Sequence, residues 1–171
     1  RAGEYETIIC GGMESMTNSP HLVLSPQKGE NVSYDDLHHS MIHDGLWDVY
    51  NDEHMGMTGE SVASEFEISR DASDEFSARS HALAHRAWEN GWLDWEAFPV
   101  AGIDREGNEI TLSTDEGIRA GLGHENLTEL QPAFTSEGMV TAGNASQISD
   151  GAAAVLVASS SSARKNGWPI L

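Results

Sequence analysis

The sequence is poor in basic residues, has a single cysteine and contains no long hydrophobic run. Its 171 residues include 9 Lys and Arg against 28 Asp and Glu. Cys10 alone cannot form an internal disulfide or a zinc site of several cysteines, which fits a reducing cytoplasm. No apolar run approaches the roughly 20 residues that cross a bilayer, and the start at Arg1 does not look like a signal peptide. We therefore expect a cytoplasmic protein that does not span a membrane.

The net charge of −19 disfavours two classes of partner. A field of this sign repels nucleic-acid phosphates and anionic lipid headgroups, so we expect no nucleic-acid partner and no membrane partner. The hydrophobic fraction of 39% and the five Trp are typical of a globular chain, so the charge belongs to a folded surface. Lysine is scarce, with only Lys28 and Lys165, which suits either a halophilic source or an ordinary acidic bacterial protein.

Short apolar stretches near both ends predict strands. Residues 6–10 end in a β-type run before two glycines, and residues from about 151 to 158 are small and apolar, as in a fully buried strand. A Ser-rich stretch to Lys165 is predicted to be helical. Because these apolar strands need neighbours to cover them, we expect the sequence to be a piece cut from a larger protein.

The middle of the chain is polar, and its periodicity predicts two helices. Thr58 is the expected N-terminal cap of the first helix, and Ser69 is the expected cap of the second. Asn90 and Gly91 should end the second helix in the left-handed conformation. The pattern over 98–112 then predicts a small hairpin whose turn lies at 105–108.

Two kinds of residue could carry chemistry on their own. His38, His39 and His43 include a pair at helical spacing with aspartates nearby, which could bind zinc, but solvated loop histidines fit the weak helical periodicity better. Cys10, at a strand-to-glycine turn, could be a nucleophile, although a free cysteine in an apolar run is more often buried. We assign neither a metal site nor a catalytic residue from these patterns.

Several motifs in a fixed order resemble the thiolase family over nearly the whole chain. They are 11–16 (GGMESM), 54–58 (HMGMT), 115–119 (DEGIR), 130–134 (LQPAF), 141–146 (TAGNAS) and 150–154 (DGAAA). The last two motifs, taken together, are highly specific to this family. The first two look most like acetyl-CoA acetyltransferases, the biosynthetic type of thiolase, although longer-chain 3-ketoacyl-CoA thiolases share much of the rest.

The resemblance implies an α/β fold and a domain arrangement. A layered α/β/α core half, the N-terminal one of the family, would be interrupted by a mostly helical loop domain that covers bound CoA. Residues 1–19 would belong to the core half, 20–135 to the inserted loop domain, 136–165 to the last strand and helix of the core half, and 166–171 to the start of the C-terminal half.

The same resemblance implies an acyltransferase reaction, in which two acetyl-CoA molecules give acetoacetyl-CoA and CoA, or the reverse thiolysis. Family members use a cysteine that accepts the acyl group, a second cysteine that moves a proton, and an Asn and a His that bind the thioester oxygen. By the motifs, all four would lie outside these 171 residues. Cys10 stands where relatives commonly have Ala, so we expect no catalytic residue in this segment, which alone would be inactive.

The resemblance assigns a set of residues to CoA, which would be a substrate as its thioester rather than a permanently bound cofactor. Arg119 would lie near the adenosine phosphates, where a permanent positive charge is useful. The pantetheine tunnel would be lined by Leu46, His54, Met55, Phe134, Ala142 and Ser146. Without the family match, core packing is the preferred interpretation of Leu46, Met55 and Phe134, and Arg119 could pair with Asp115 or Glu116 on the surface.

Some positions depart from the family pattern. Gln147 and Ser149 replace a common Gly and Asn, Asn126 replaces a Ser that touches CoA in some relatives, and Gln131 replaces a frequent Arg. Gln147 and Asn126 bear on the finer contacts to CoA rather than on the family.

Other readings of the function remain open beside an acetyl-CoA acetyltransferase. One is a segment of a longer-chain 3-ketoacyl-CoA thiolase, and another is a CoA-binding or interaction module without chemistry. A metalloprotein is a third. For the full-length parent of a thiolase segment we expect a homodimer or a homotetramer.

Overall fold

The computed structural model describes residues 3–24, 29, 31–104 and 106–170, which form parts of two units. The first unit spans Arg1–Met41 and Ile148–Leu171, and the second spans Ile42–Gln147. Helices and strands are mixed along the chain, so the α/β expectation holds for the described residues. Arg105 in the predicted turn, Lys28 and Leu171 lie outside the described residues.

In the first unit, the predicted terminal strands pair with each other. Strand β1 (Thr7–Glu14) runs antiparallel to a strand near the end of the chain, β8 (Gly151–Ala158), with Cys10 opposite Val155. The first strand is longer than predicted, because it continues through both glycines to Glu14 instead of turning at them. A Cβ at Gly11 would lie 2.7 Å from the Ala153 carbonyl oxygen, so glycine permits this close approach.

Apolar side chains of the β1–β8 pair are exposed. Ile9 is 77% exposed and Val157 is 54% exposed. Cys10 is exposed as well, so the expectation of a buried cysteine is wrong for the described chain. A pair of strands cannot cover its own faces, and three or more strands or a packed helix are usually needed for that.

The rest of the first unit is short elements. Strands β2 (His21–Val23) and β3 (Leu37–His39) pair antiparallel, and a 3₁₀ helix (Tyr34–Asp36) precedes β3. After β8, Ser159 caps helix α4 (Ser160–Asn166) by accepting a hydrogen bond from the Ser162 N–H at 3.1 Å, which confirms the predicted Ser-rich helix.

Asp150, just before β8, is the main polar anchor of the first unit. Its carboxylate accepts hydrogen bonds from the Thr17 hydroxyl at 2.5 Å, the Thr17 N–H at 3.0 Å and the Ser15 hydroxyl at 3.0 Å. The bond from the Thr17 side chain does most to hold the pKa of Asp150 below its ordinary value.

The second unit begins with a π-helix (Met41–Gly45) that straddles the boundary and two short paired strands, β4 (Trp47–Asp48) and β5 (Glu53–His54). Helix α1 (Met55–Glu65) follows directly. The prediction that Thr58 caps this helix is wrong. The cap is His54, whose extended backbone precedes the first turn and whose Nδ1 accepts a hydrogen bond from the Gly56 N–H at 2.9 Å.

Helix α2 (Arg70–Glu89) begins where the sequence predicts. Ser69 caps it by accepting a hydrogen bond from the Ala72 N–H at 3.1 Å, and Asn90 with the positive-φ Gly91 ends it. The predicted hairpin is confirmed as strands β6 (Val100–Ile103) and β7 (Glu109–Leu112). A short helix, α3 (His124–Thr128), packs against α2.

Buried side chains of the second unit are both apolar and polar. Ala63 of α1 and Leu127 of α3 are buried, and so are Asp74 of α2 and Thr141. Over the described part of the chain, no helix is long and apolar enough to cross a membrane.

Candidate functional site

The residues predicted to line the tunnel gather first around the start of α1. Leu46 precedes β4, and its carbonyl oxygen accepts a hydrogen bond from the Met55 N–H at 2.9 Å. Trp47 pairs with His54 across the two short strands. This pairing holds His54 in the extended conformation that a cap requires, and the short hairpin brings Leu46 next to His54 and Met55.

Phe134 joins this group from a distant segment. Its ring lies 5.0 Å from the His54 ring, centroid to centroid, and is 36% exposed. A Cβ on Gly56 would overlap the Phe134 ring, so the glycine in the first turn of α1 makes room for the aromatic side chain. Met55 is half-exposed beside them. The group therefore presents an aromatic and thioether surface, which suits a thin apolar ligand.

The segment that carries Ala142 and Ser146 is held on one side by α1. The Glu60 carboxylate accepts hydrogen bonds from the Met139 N–H and the Val140 N–H, each at 2.9 Å. Two backbone donors on one carboxylate form charge-assisted hydrogen bonds, which are stronger than neutral ones. The backbone just before the TAGNAS motif is therefore fixed to a helix.

Helix α2 holds the same segment through a buried polar cluster. The fully buried Asp74 carboxylate accepts hydrogen bonds from the Arg70 Nε at 2.6 Å and from the Asn144 side-chain amide at 3.0 Å. Asn144 also donates to the Met139 carbonyl at 2.8 Å and accepts from the Thr141 N–H at 2.7 Å. Each carboxylate oxygen of Asp74 therefore has a partner, as a buried charge requires.

This anchoring determines which residues of the motif point outward. Thr141 is fully buried and Asn144 is partly buried, while Ala142 and Ser146 are exposed. The two anchors thus leave both of the predicted site residues free on the surface of the turn. Neither side chain contributes to the buried cluster.

Ser146 lines a groove of about 300 Å³ between α2 and the motif. Its α2 wall includes Phe76 and His81, and the opposite wall includes Ile118 and Gln147. The groove is open to solvent on one side and mixes apolar carbon with hydroxyl, amide and imidazole groups. It therefore offers both contact area and hydrogen-bonding groups to a small polar ligand.

Arg119 lies one residue beyond the groove wall. Its backbone N–H donates to His81 Nδ1 at 3.2 Å, and its side chain is exposed. Within residues 3–24, 29, 31–104 and 106–170, no carboxylate forms an ion pair with its guanidinium. The alternative of a surface pair with Asp115 or Glu116 therefore does not occur in the described structure.

The seven predicted residues thus fall into two groups within the second unit. Leu46, His54, Met55 and Phe134 surround the start of α1, while Ser146 lies in the groove and Arg119 lies next to it. Ala142 is on the exposed turn that leads to Ser146.

The residues that hold this site together were not predicted from the sequence. They are Glu60, Arg70, Asp74 and Asn144. Arg70 and Asp74 are four residues apart on α2, a spacing typical of helix ion pairs, and this was a usable signal. The backbone partners of Glu60 and the Asn144 partner of Asp74 lie 70 or more residues away, so no local pattern could have named them.

The histidines considered for a metal do not converge. His39 packs edge-on against His21 with 4.9 Å between ring centroids, and His43 Nδ1 lies 2.6 Å from the Asp44 carboxylate. Counting only the residues described above, no group of three or more His, Cys, Asp or Glu is placed to hold a metal ion.

Near the first group, a tight turn separates β4 and β5. The Asp48 carboxylate accepts hydrogen bonds from the Asn51 side chain at 2.7 Å and from the Tyr50 N–H at 2.8 Å. These bonds, led by that from the Asn51 amide, hold the pKa of Asp48 below its ordinary value. The turn is therefore best formed when Asp48 is ionised.

Comparisons with known proteins agree with one another. A family model described as the thiolase N-terminal domain matches residues 1–161. The acetyl-CoA acetyltransferase of Pseudomonas aeruginosa is 42% identical over 171 residues, which are 100% of this chain and 44% of that protein.

Two crystal structures show the same likeness in three dimensions. The Bacillus anthracis acetyl-CoA acetyltransferase matches with a TM-score of 0.87 and 34% identity, covering 99% of this chain and 42% of that one. Human mitochondrial 3-ketoacyl-CoA thiolase matches with a TM-score of 0.83 and 32% identity, covering 96% and 41%. This chain spans less than half the length of each of these proteins.

Proposed function

Because the chain belongs to the thiolase family, we propose that it is part of an acetyl-CoA acetyltransferase. In that reaction one carbon–carbon bond joins two acetyl-CoA molecules to give acetoacetyl-CoA, and one CoA leaves as the free thiol. Thiolysis is the reverse. The observation that carries the proposal is the 42% identity with the Pseudomonas aeruginosa acetyl-CoA acetyltransferase over the whole of this chain.

The second unit is proposed to supply CoA binding. The exposed Arg119 guanidinium would bind a phosphate of the nucleotide end, and its lack of a carboxylate partner in the described residues supports this role. Most of the acidic residues of the chain lie in the same unit, so a phosphate ligand needs a local cation there.

The pantetheine arm is proposed to run past the two other groups of residues. Leu46, Met55 and Phe134 offer apolar contact, and His54 supports the Phe134 ring. Ser146 would hydrogen-bond an amide of the arm, and the small Ala142 would leave it room.

The domain arrangement stays a proposal of the same kind. Residues 20–135 would form the inserted loop domain, with 1–19 and 136–165 in the core half and 166–171 beginning the next half. The division of the chain into a discontinuous first unit and a continuous second unit supports an insertion, though its boundaries are Ile42 and Gln147.

The chemical step is proposed to use residues outside this segment. Cys10 lies in the β1–β8 pair, where Val155 faces it across the ladder. The acyl-accepting cysteine, the proton-transferring cysteine and the Asn and His donors of the family would come from the rest of the parent protein. The parent is proposed to be a cytoplasmic homodimer or homotetramer that uses CoA thioesters as substrates and needs no permanently bound cofactor.

Thiolysis of acetoacetyl-CoA tests the proposal. The whole protein should turn over, while the 171-residue chain should be silent, because removing members of a catalytic unit typically costs several orders of magnitude in rate. Turnover by the chain that disappears with Cys10→Ala would overturn the assignment of catalysis to other residues. No turnover by the whole protein, with CoA still bound, would favour a binding module.

Arg119→Ala in the whole protein tests the CoA contact. It should weaken CoA binding by about 1.5–3 kcal/mol, the range for a hydrogen bond to a charged group. Arg79→Ala, which removes the same charge from an exposed position on α2, is the matched control. Equal affinities of the two variants for CoA would show that Arg119 does not bind CoA.

A longer-chain 3-ketoacyl-CoA thiolase is the second candidate. The human mitochondrial 3-ketoacyl-CoA thiolase matches with nearly the same TM-score and identity as the Bacillus anthracis acetyl-CoA acetyltransferase. Rates of thiolysis for 3-ketoacyl-CoA substrates of increasing chain length separate the two. A maximum at acetoacetyl-CoA supports the acetyltransferase, and a maximum at longer chains supports the alternative.

A further inference from the structure

Gln147 joins the two segments that carry Ser146 and Arg119. Its side-chain amide donates a hydrogen bond to the Gly117 carbonyl oxygen at 3.0 Å. A Cβ on Gly117 would overlap the same carboxamide, so the side chain fills the space that the glycine leaves empty. Gly117 has no positive φ, so its backbone conformation does not require glycine, whereas a Cβ there would have to displace the Gln147 carboxamide from this contact.

His81 holds the same segment from α2. Its Nδ1 accepts the hydrogen bond from the Arg119 N–H, which requires a ring unprotonated at that atom. The segment 117–119 is thus fixed at its first residue by Gln147 and at its last by His81. Both fixing side chains line the groove beside Ser146.

A fixed backbone matters more for arginine than for most residues. The guanidinium is carried on a long flexible side chain, and ordering such a side chain on binding costs free energy. If the backbone beneath it also moved, binding would have to order that as well. Two hydrogen bonds that place the Arg119 Cα in advance lower this cost.

We infer that Gln147 and His81 are positioning residues that hold the Arg119 segment in place for the nucleotide end of CoA. The inference rests on the proposed CoA-binding function and deepens it. It also gives the departure at position 147 a physical meaning, because a glycine there could not contact Gly117 through a side chain. Gly117 and Gln147 are then a matched pair, in which the absence of one side chain accommodates the other.

The test uses steady-state thiolysis by the whole protein, with CoA or pantetheine as the thiol. Pantetheine has no nucleotide, so it does not need Arg119. Gln147→Ala should raise KM for CoA about fivefold, as expected for one lost hydrogen bond, with little change in kcat. The ratio of KM for CoA to KM for pantetheine should rise by a similar factor. Gln131→Ala, at an exposed glutamine, is the control.

A double substitution separates positioning from general stability. If Gln147 acts through Arg119, adding Gln147→Ala to Arg119→Ala should not raise KM for CoA further. Independent, multiplying effects would overturn the inference, and so would an unchanged KM ratio in Gln147→Ala. Absence of thiolysis in the unsubstituted protein would instead contradict the proposed function, so the two failures are distinguishable.

Two further pairs of variants guard against a folding defect. Gly117→Ala should displace the Gln147 carboxamide and raise KM for CoA about as much as Gln147→Ala does, and adding Gln147→Ala to it should raise KM no further. His81→Ala should raise the KM ratio, and His81→Asn, whose oxygen can accept in place of Nδ1, should restore it in part. In variants that melt at the temperature of the unsubstituted protein, a further rise of KM in the Gly117→Ala, Gln147→Ala double variant or no recovery in His81→Asn would overturn the inference.

Discussion

The strand pair of the first unit and the buried polar cluster of the second unit differ in how fully their side chains are matched by partners. The first unit leaves the apolar β1–β8 pair uncovered, with Ile9 and Val157 exposed. The second unit buries a carboxylate, Asp74, and satisfies both of its oxygens with Arg70 and Asn144. An uncovered apolar group gains no burial energy, whereas a buried ion pair is costly unless complete. The part of this chain with the most complete side-chain contacts is therefore the polar cluster around Asp74 and not the apolar strand pair.

The largest expected effect is at Asp74. Replacing it with Ala removes the carboxylate to which the Arg70 Nε–H and the Asn144 side-chain amide donate, and removing one partner of a buried pair costs about 3–5 kcal/mol. The loss should appear as faster hydrogen exchange in α2 and over residues 139–146. Asp150→Ala in the exposed cluster of the first unit is the control. An equal increase in hydrogen exchange in both variants would contradict the difference between the two units.

The apolar positions of the two units should also differ. Leu127 is 1% exposed, so Leu127→Ala should cost about 2–5 kcal/mol. Ile9→Ala in the 171-residue chain should change the free energy of unfolding by about 0.5 kcal/mol or less, because its side chain is exposed. Urea unfolding of the two variants checks this. A large loss at Ile9 would show that something covers the strand pair.

Salt should stabilise the second unit more than the first. Most of the 28 acidic residues lie in the second unit, and screening by salt reduces their mutual repulsion. We expect the melting temperature to rise between low salt and molar KCl, with the larger gain in exchange protection at α2. A melting temperature that stays flat or falls would contradict a halophilic source and favour an ordinary acidic bacterial protein.

Acid should affect the first unit through Asp150. Its pKa is lowered in the folded chain, first by the Thr17 hydroxyl, so the ionised carboxylate stabilises the fold above the unfolded pKa of about 4. That contribution is lost as the pH falls from about 4 through the lower folded pKa. Asp150→Asn should flatten this part of the stability profile, measured by thermal unfolding from pH 5 to pH 2.5. An unchanged profile in Asp150→Asn would show that ionised Asp150 does not stabilise the first unit.

Local signals predicted α2 well and α1 less well. Ser69 is a favoured cap residue beside a periodic run, so the start of α2 was visible in the sequence. His54 is not a usual cap, and its extended backbone is supported by pairing with Trp47. The strand β1 continues through two glycines because β8, far along the chain, supplies the partner backbone.

The motifs predicted the family better than they predicted the contacts. The thiolase-like α/β fold is confirmed by the family match and by the solved structures. The roles of Arg119, Ser146 and the residues around α1 stay predictions. What the sequence could not supply is the anchoring by Glu60 and Asp74, because those hydrogen bonds join residues brought together only by the fold.

Hydrogen exchange of the whole protein, with and without CoA, shows which unit CoA contacts. If the second unit holds CoA, the ligand should slow exchange over residues 117–119 and 144–147 and around His54, with a smaller change in β1 and β8. Two results would contradict the claim that the second unit holds CoA. One is slower exchange confined to β1 and β8, and the other is unchanged exchange over 117–119 and 144–147 while CoA is bound.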